Sequence, residues 1–359
     1  MPISHLALLL ALAGTAPSAP VPAPTEWTVP KPDETRLITY PRQTYFTTAN
    51  AKEGIAASIL FVLVDAPAGA TVEPVALAID YLQGGTAVRQ DRWSTAMLAP
   101  VTATGIPSSR VYPASLATAR QLSHGFRLML EGPAALPFDA VRFTLEAKVD
   151  GTPRTLALSI RATRYEQKTP LIFPFRGPGT ISVAGVLAAG HRNRSGMYAI
   201  DAMGLNETYG PMRTGADTTD PANYAGWGRE IIAPAAGRVV FVRNDHVDQP
   251  ATETSNPAYF LPQYKNGGDP GNYVVIDHGN GEFSMIAHMQ RNSVRVAVGD
   301  TVSAGQLLGL MGNSGDTTGP HVHYQLQNGP DWENADALPF VFTNVESIAR
   351  GSYFNAKAP

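Results

Sequence analysis

Residues 141–161 read VRFTLEAKVDGTPRTLALSIR. Val141, Phe143, Leu145, Ala147 and Val149 alternate with Arg142, Thr144, Glu146 and Lys148. After the turn Asp150-Gly151-Thr152-Pro153, Leu156, Leu158 and Ile160 alternate with Ala157, Ser159 and Arg161. Successive side chains of a strand point to opposite faces, so a period of two predicts a β-hairpin with one buried face. Residues 59–64, ILFVLV, and 126–130, FRLML, add strands to it, and the pattern holds over most of 37–164. Short strands separated by Gly/Pro turns predict a β-sandwich of immunoglobulin-like type. His124 is the one histidine of this region, which contains no cluster of catalytic residue types, so support or binding is its expected role.

The chain has 359 residues, which suggests two domains at about 100–200 residues each. Hydrophobic residues make up 44% and charged residues 16%, which excludes a disordered chain. Lys and Arg number 27 against 30 Asp and Glu, so no strong field steers the protein to nucleic acid or anionic lipid. Cysteine is absent, which leaves His, Asp and Glu as the only side chains able to hold a metal. Near the start, the apolar run at 6–13 is too short to span a bilayer, which takes about 20 residues. Small residues and a Pro/Ala-rich stretch follow it, the layout of a secretory signal peptide, although no Lys or Arg precedes the run. No later segment is long and apolar enough to cross a membrane, and the mature protein is expected to be exported.

Residues 165–180, YEQKTPLIFPFRGPGT, mark a boundary by their Pro and Gly content. The expected division is a leader at 1–24, a β-sandwich-like domain at 30–165, a second β-rich domain at 166–345 and a tail at 346–359. Within the second domain, 230–240 (EIIAPAAGRVV) and 294–309 (VRVAVGDTVSAGQLLG) look like halves of one motif. Between them, 245–272 carries four Pro and several Gly and Asn residues. A loop of that length in a compact domain is expected to be functional or disordered.

His321-Val322-His323 begins after Gly319-Pro320 and runs on into Tyr324-Gln325-Leu326. In a strand, residues two apart share a face, so both imidazoles enter one space, as suits a metal ligand beside a proton-transfer group. Residues 312–326, GNSGDTTGPHVHYQL, resemble the C-terminal signature of the lysostaphin-type zinc metallopeptidases, which cleave peptide bonds in bacterial cell-wall peptidoglycan. The preceding 294–312, together with 273–281 (YVVIDHGNG) and 287–289 (AHM), are similar to the same family, in its usual order.

The resemblance, which spans roughly 190–326, implies a mainly β protein whose peptidase domain has a lipoyl/hybrid-motif-like core. It also implies one zinc ion per chain. His323 matches the ligand on the last strand, His321 its catalytic neighbour and His288 the other catalytic histidine. Where the family usually has a Tyr two residues before that histidine, this chain has Ile286. The remaining ligands are a His and an Asp. Asp201, after Tyr198-Ala199-Ile200, is expected to end a short apolar strand. The family spacing His-x-x-x-Asp falls on Met197, and a thioether prefers Cu(I) to zinc. The nearest upstream histidine is His191, which reaches the metal if 192–196 bulge out before 197–200 resume the strand. His246, on the long loop, is the one substitute, though solvent exposure or a substrate contact is the more natural role for it. His278 is expected to be a turn residue bonding its own loop.

The activity implied is hydrolysis of peptide bonds in peptidoglycan by an exported enzyme, periplasmic or extracellular and associated with the cell wall. Which of His288 and His321 takes the proton stays open. The alternative is a catalytically silent relative that binds the wall or regulates another hydrolase. Gly312-Asn313-Ser314-Gly315 lacks the G-x-S-x-G spacing of a nucleophile turn, and no His-Glu pair occurs to form an H-E-x-x-H helix. For the N-terminal domain, anchoring and covering of the cleft both remain open.

Overall fold

The computed structural model describes residues 28–40, 45–46, 55–98, 102–103, 108, 111–133, 138–184, 191, 194–213, 217–264, 268–348 and 350–357. The expected leader, 1–24, lies outside them.

The hairpin expected at 141–161 is present. Ala140–Val149 pairs antiparallel with Thr152–Arg161, and Val149 sits opposite Thr152 across a two-residue turn. Asp150 and Gly151 take φ of 49° and 75°, the left-handed conformation that lets a tight turn follow the twist of its strands. These strands continue a four-stranded sheet ordered Thr86–Ser94, Val72–Gln83, Ala140–Val149, Thr152–Arg161. A second sheet runs Arg36–Tyr40, Ile55–Pro67, Arg120–Pro133, Thr102–Ala103. Leu60, Val62, Val64 and Leu128 of this sheet meet Leu77, Ile79, Phe143 and Leu145 of the other in one core.

The second sheet is buried on its other face as well. Ile38, Tyr40, Phe61 and Leu63 join the core of the C-terminal half. That explains why 59–64 is an unbroken apolar run while 141–149 alternates: a strand covered on both faces has no side to leave polar. Tyr198 Oη reinforces the junction by donating to Tyr45 O at 3.1 Å.

The C-terminal half is built on a nine-stranded sheet. Its order is Thr301–Val302, Gly237–Arg243, Asn272–Asp277, Phe283–Met289, Val322–Gln327, Ile200–Gly204, Gly177–Ala184, Tyr353–Ala356, with Ala337–Leu338 also paired to Val322–Gln327. The two half-motifs read from sequence pair with each other: Glu230–Ile232 with Leu307–Leu310, and Gly237 opposite Val302. One face of the large sheet buries Ile200, Ala202, Val274, Ile276, Ile286, Val322, Tyr324 and Leu326. The alternate residues Tyr273, Val275, Met285 and Ala287 form a separate cluster, of which Met285 and Ala287 line the site described below.

The expected tail requires correction. Tyr353–Ala356 is an edge strand paired with Gly177–Ala184. Phe354 packs on Phe173 and Phe175 with ring centroids 4.4 and 5.8 Å away. Gly179 lies beneath it, where a Cβ would stand 2.5 Å from the ring. Four residues are too few to display a period, so one buried aromatic ring holds a strand that composition does not announce.

Candidate metal centre

The strand Val322–Gln327 lies between Phe283–Met289 and Ile200–Gly204, with Ala287 and Asp201 as the two neighbours of His323 across the ladder. Opposite residues of antiparallel strands hold their Cβ atoms about 4.5–5.5 Å apart. A carboxylate at Asp201 therefore meets the His323 ring without any loop. Asp201 stands inside this strand, near its start, and not at its end as expected, because the preceding residues 195–198 form a turn. Ala199 N closes that turn on Gly196 O at 2.9 Å. Met197 is correspondingly a core residue, 1% exposed, and does not resume the strand. Residues 192 and 193 of the expected bulge lie outside the described residues.

His191 nonetheless reaches the pair. His323 Nδ1 is 3.1 Å from His191 Nε2 and 3.1 Å from Asp201 Oδ1, and His191 Nε2 is 3.2 Å from Asp201 Oδ1. Among the described residues these three form the group able to hold a metal ion. The donor set fits one. His323 Nε2 lies 2.9 Å from the carbonyl oxygen of the Gln325 amide, so it carries the proton and Nδ1 is a lone pair. Two acceptors, that nitrogen and a carboxylate oxygen, then face each other at contact distance, which is repulsive unless a cation or proton lies between them. Ligands about 2.0–2.1 Å from a tetrahedral zinc stand about 3.3 Å from one another, close to the separations found here.

His288 and His321 stand beside this group without belonging to it. Their ring centroids are 4.7 Å apart. His321 Nδ1 donates to Gly319 O at 2.8 Å, and its Nε2 lies 3.6 Å from Asp201 Oδ1. His288 Nδ1 donates to Ser314 O at 2.8 Å, which leaves Nε2 as its lone pair. His288 takes φ 61°, a conformation that costs a side-chain-bearing residue about 1–3 kcal/mol and gathers at functional sites. Gly271 and Gly315 make the carbonyl available to it. A Cβ on Gly271 would stand 2.3 Å from Ser314 O, and one on Gly315 would stand 2.4 Å from Asp269 O, so the two loops pass backbone to backbone only as glycine.

The electrostatics divide the imidazoles. Burial pushes His288 well below its usual value, and the neighbouring His321 adds to this. Burial, then His191, also lowers His323. Burial works against charge on His321, but the Asp201 carboxylate outweighs it and raises that ring. Burial opposes ionisation of Asp201, yet His191 and His321 hold its carboxyl well below the usual range. The cleft over these groups has a volume of about 250 Å³ and is walled by Gly268–Pro270 of the long loop, Asp316, Thr318, Met285 and Trp332. The 245–272 loop is thus one wall of the site. Trp332, absent from the sequence reading, has no signal there, being one of four Trp in the chain.

Other expected positions fall elsewhere. His246 is buried, not exposed: its Nε2 meets Asp269 Oδ2 at 3.0 Å and its Nδ1 meets Val247 O at 3.0 Å. His278 closes its own turn through the backbone, its N–H donating to Glu282 O at 2.9 Å, while its ring reaches outside the loop. The ring bridges Ala236 O at 2.9 Å and Ser284 Oγ at 2.7 Å. Ile286 is fully buried in the core. Ser314 Oγ donates to Met289 O at 2.7 Å and accepts from Asn272 N at 2.9 Å, so it is part of the loop's scaffolding and not a nucleophile.

Comparison with known proteins adds three findings. A family model described as Peptidase family M23 matches residues 217–336, a range that begins after His191 and Asp201. The chain is 50% identical over 56 residues to the peptidoglycan DD-endopeptidase ShyA of Vibrio cholerae, covering 16% of this chain and 13% of that protein. It is 39% identical over 99 residues to an uncharacterised metalloprotease of Haemophilus influenzae, covering 28% and 16%. The matched segments are thus less than one fifth of those relatives' lengths. Among solved structures, the catalytic domain of the antimicrobial peptidase lysostaphin from Staphylococcus simulans is 19% identical, with 47% of this chain and 88% of that one covered at a TM-score of 0.24.

Proposed function

We propose that this chain, whose residues 217–336 match the model of peptidase family M23, is an exported zinc-dependent endopeptidase that hydrolyses peptide bonds in bacterial cell-wall peptidoglycan. The observation that carries the reading is the close triangle of His191 Nε2, Asp201 Oδ1 and His323 Nδ1, spaced as ligands of one small cation. Two imidazoles and one carboxylate are the ligand types of a hydrolytic zinc site that keeps a position open for water. The peptidoglycan substrate is supported by the named activity of ShyA. Export is supported by the leader-like 1–24. Among the described residues no helix is long and apolar enough to cross a membrane. The division of the chain near residue 165 into a sandwich and a peptidase unit is part of the same proposal.

Zinc, when bound, lowers the pKa of water to about 7 and polarises the scissile carbonyl. The chain's own residues supply the rest. Asp201, His191 and His323 would hold the ion. His288 and His321 each have Nδ1 tied to a backbone carbonyl and Nε2 turned to the cleft, so each offers one orientation of one nitrogen. His288, kept neutral by burial, is suited to accept a proton from the attacking water. His321 is suited to hold positive charge near the developing oxyanion and the leaving amine.

The direct test is metal analysis of the purified chain beside digestion of isolated peptidoglycan, with mass analysis of the fragments. One zinc per chain and new peptide termini, both lost to a strong chelator, is the expected result. Hydrolysis that survives full removal of metal contradicts the zinc reading. Stoichiometric zinc with no cleavage of any wall preparation favours a silent wall-binding relative.

A further inference from the structure

His323 begins a line of polar side chains that runs away from the cleft along one face of its strand. Positions 323, 325 and 327 share that face by the two-residue period. His323 Nε2 lies 2.9 Å from Gln325 Oε1, Gln325 Nε2 donates to Gln327 Oε1, and Gln327 Nε2 donates to Gly329 O at 2.7 Å. Gln325 and Gln327 are 1% and 0% exposed, so solvent cannot replace any partner.

The direction of this line is dictated from its far end. Gly329 O is a backbone carbonyl and can only accept, so Gln327 must turn its NH2 towards it and its oxygen towards Gln325. Gln325 must then answer with its own NH2, which leaves its oxygen facing His323. An amide oxygen accepts only, so the proton of a neutral His323 resides on Nε2. Reversing any single amide sets two acceptors or two donors against each other among buried side chains, which costs about 1–3 kcal/mol for each group left unmade. His288 and His321 meet carbonyls through Nδ1 and are held in the opposite tautomer.

We propose that Gln325 and Gln327 are positioning residues, a relay anchored on Gly329 O that fixes the Nε2–H tautomer of His323 and so keeps Nδ1 as the lone pair facing Asp201 and His191. The relay rests on the reading of that triangle as a metal site, but its effect on the ring exists before metal arrives. Groups that orient a ligating histidine through its other nitrogen typically contribute about 10–100-fold to metal affinity.

The test uses the full chain, labelled with 15N at histidine and freed of metal, at a pH above the histidine titrations. Nitrogen NMR reads the tautomer of His323, and zinc affinity is measured by competition with a chelator. The wild type should show His323 protonated at Nε2. Gln325→Met, close in size but without the acceptor, should lose that preference and bind zinc about 10–100-fold more weakly. Gln325→Glu keeps an acceptor against His323 and should keep the tautomer, but it sets its second oxygen against that of Gln327 and should lower stability. Gln327→Met frees Gln325 to rotate and should give a smaller loss than Gln325→Met. A metal-free wild type with His323 protonated at Nδ1 overturns the relay, as does Gln325→Met with unchanged zinc affinity. Should Gln325→Met fail to fold, the wild-type tautomer and Gln325→Glu still decide the matter. A wild type that binds no zinc defeats the metal reading, and the tautomer measurement then judges the relay separately.

Discussion

His246 and Asp269 face each other at 3.0 Å, much as His191 and His323 face Asp201 at 3.2 and 3.1 Å, within the same half of the molecule. The first pair is closed. His246 Nδ1 has Val247 O, Nε2 has Asp269 Oδ2, and Asp269 also accepts from Gly271 N at 2.9 Å and Leu261 N at 2.6 Å. Each ring nitrogen and each carboxylate oxygen has a complement, and the pair ties the ends of the 245–272 loop together. The second group is open. His323 spends its proton on Gln325, so its Nδ1 and the Asp201 carboxylate are two acceptors in contact, while the buried His191 Nδ1 has no partner among the described residues. Residue type does not separate a strut from a metal site. The balance of donors against acceptors does.

The largest effect that can break this comparison comes from removing a member of the open group. His323→Ala and Asp201→Ala should lose zinc, by elemental analysis of purified protein, and with it all measurable peptidoglycan hydrolysis. Next come His288→Ala and His321→Ala, which should keep one zinc and lose about 10²–10⁴-fold in turnover, the usual contribution of a proton-transfer group. Zinc-free His288→Ala protein would mean that ligands and proton-transfer groups have been confused.

The closed pair should respond in the opposite sense. His246→Ala leaves Asp269 buried without its partner, and breaking a buried pair this way costs about 3–5 kcal/mol, read as a lower urea midpoint with zinc content unchanged. The smallest effect is a pH dependence. Burial opposes charge on His246, but Asp269 raises it above 6.5, so its contribution is complete below that value and is lost as pH rises through the folded one. Burial likewise opposes ionisation of Asp269, but His246 and the Leu261 and Gly271 amides lower it below 3.8, so its contribution is present above that value and lost as pH falls through the folded one. Stability measured by urea titration should therefore fall on the alkaline side of about pH 6.5, and His246→Ala should flatten that fall.

Much of the site was legible because strands obey a short rule. The H-x-H pair and its shared face follow from the period of two, and 141–161 follows from the same rule together with its Asp-Gly turn. What stayed hidden depends on pairing between distant segments. Nothing local says that Asp201 stands opposite His323 across 122 residues, nor that Asp269 lies against His246. Gln325 and Gln327 did leave a signal: polar residues at every second position of a strand whose other face is Val322, Tyr324 and Leu326. Tyr353–Ala356 left none, since its docking rests on Phe354 meeting the distant Phe173 and Phe175.

The central claim is that the open group, and not the closed pair, holds the metal. Zinc per chain in His191→Ala and His246→Ala, measured side by side on full-length protein after dialysis, tests it most directly. The prediction is an empty site in His191→Ala and one zinc in His246→Ala. A filled site in the first and an empty one in the second would move the ligand to the long loop and contradict it.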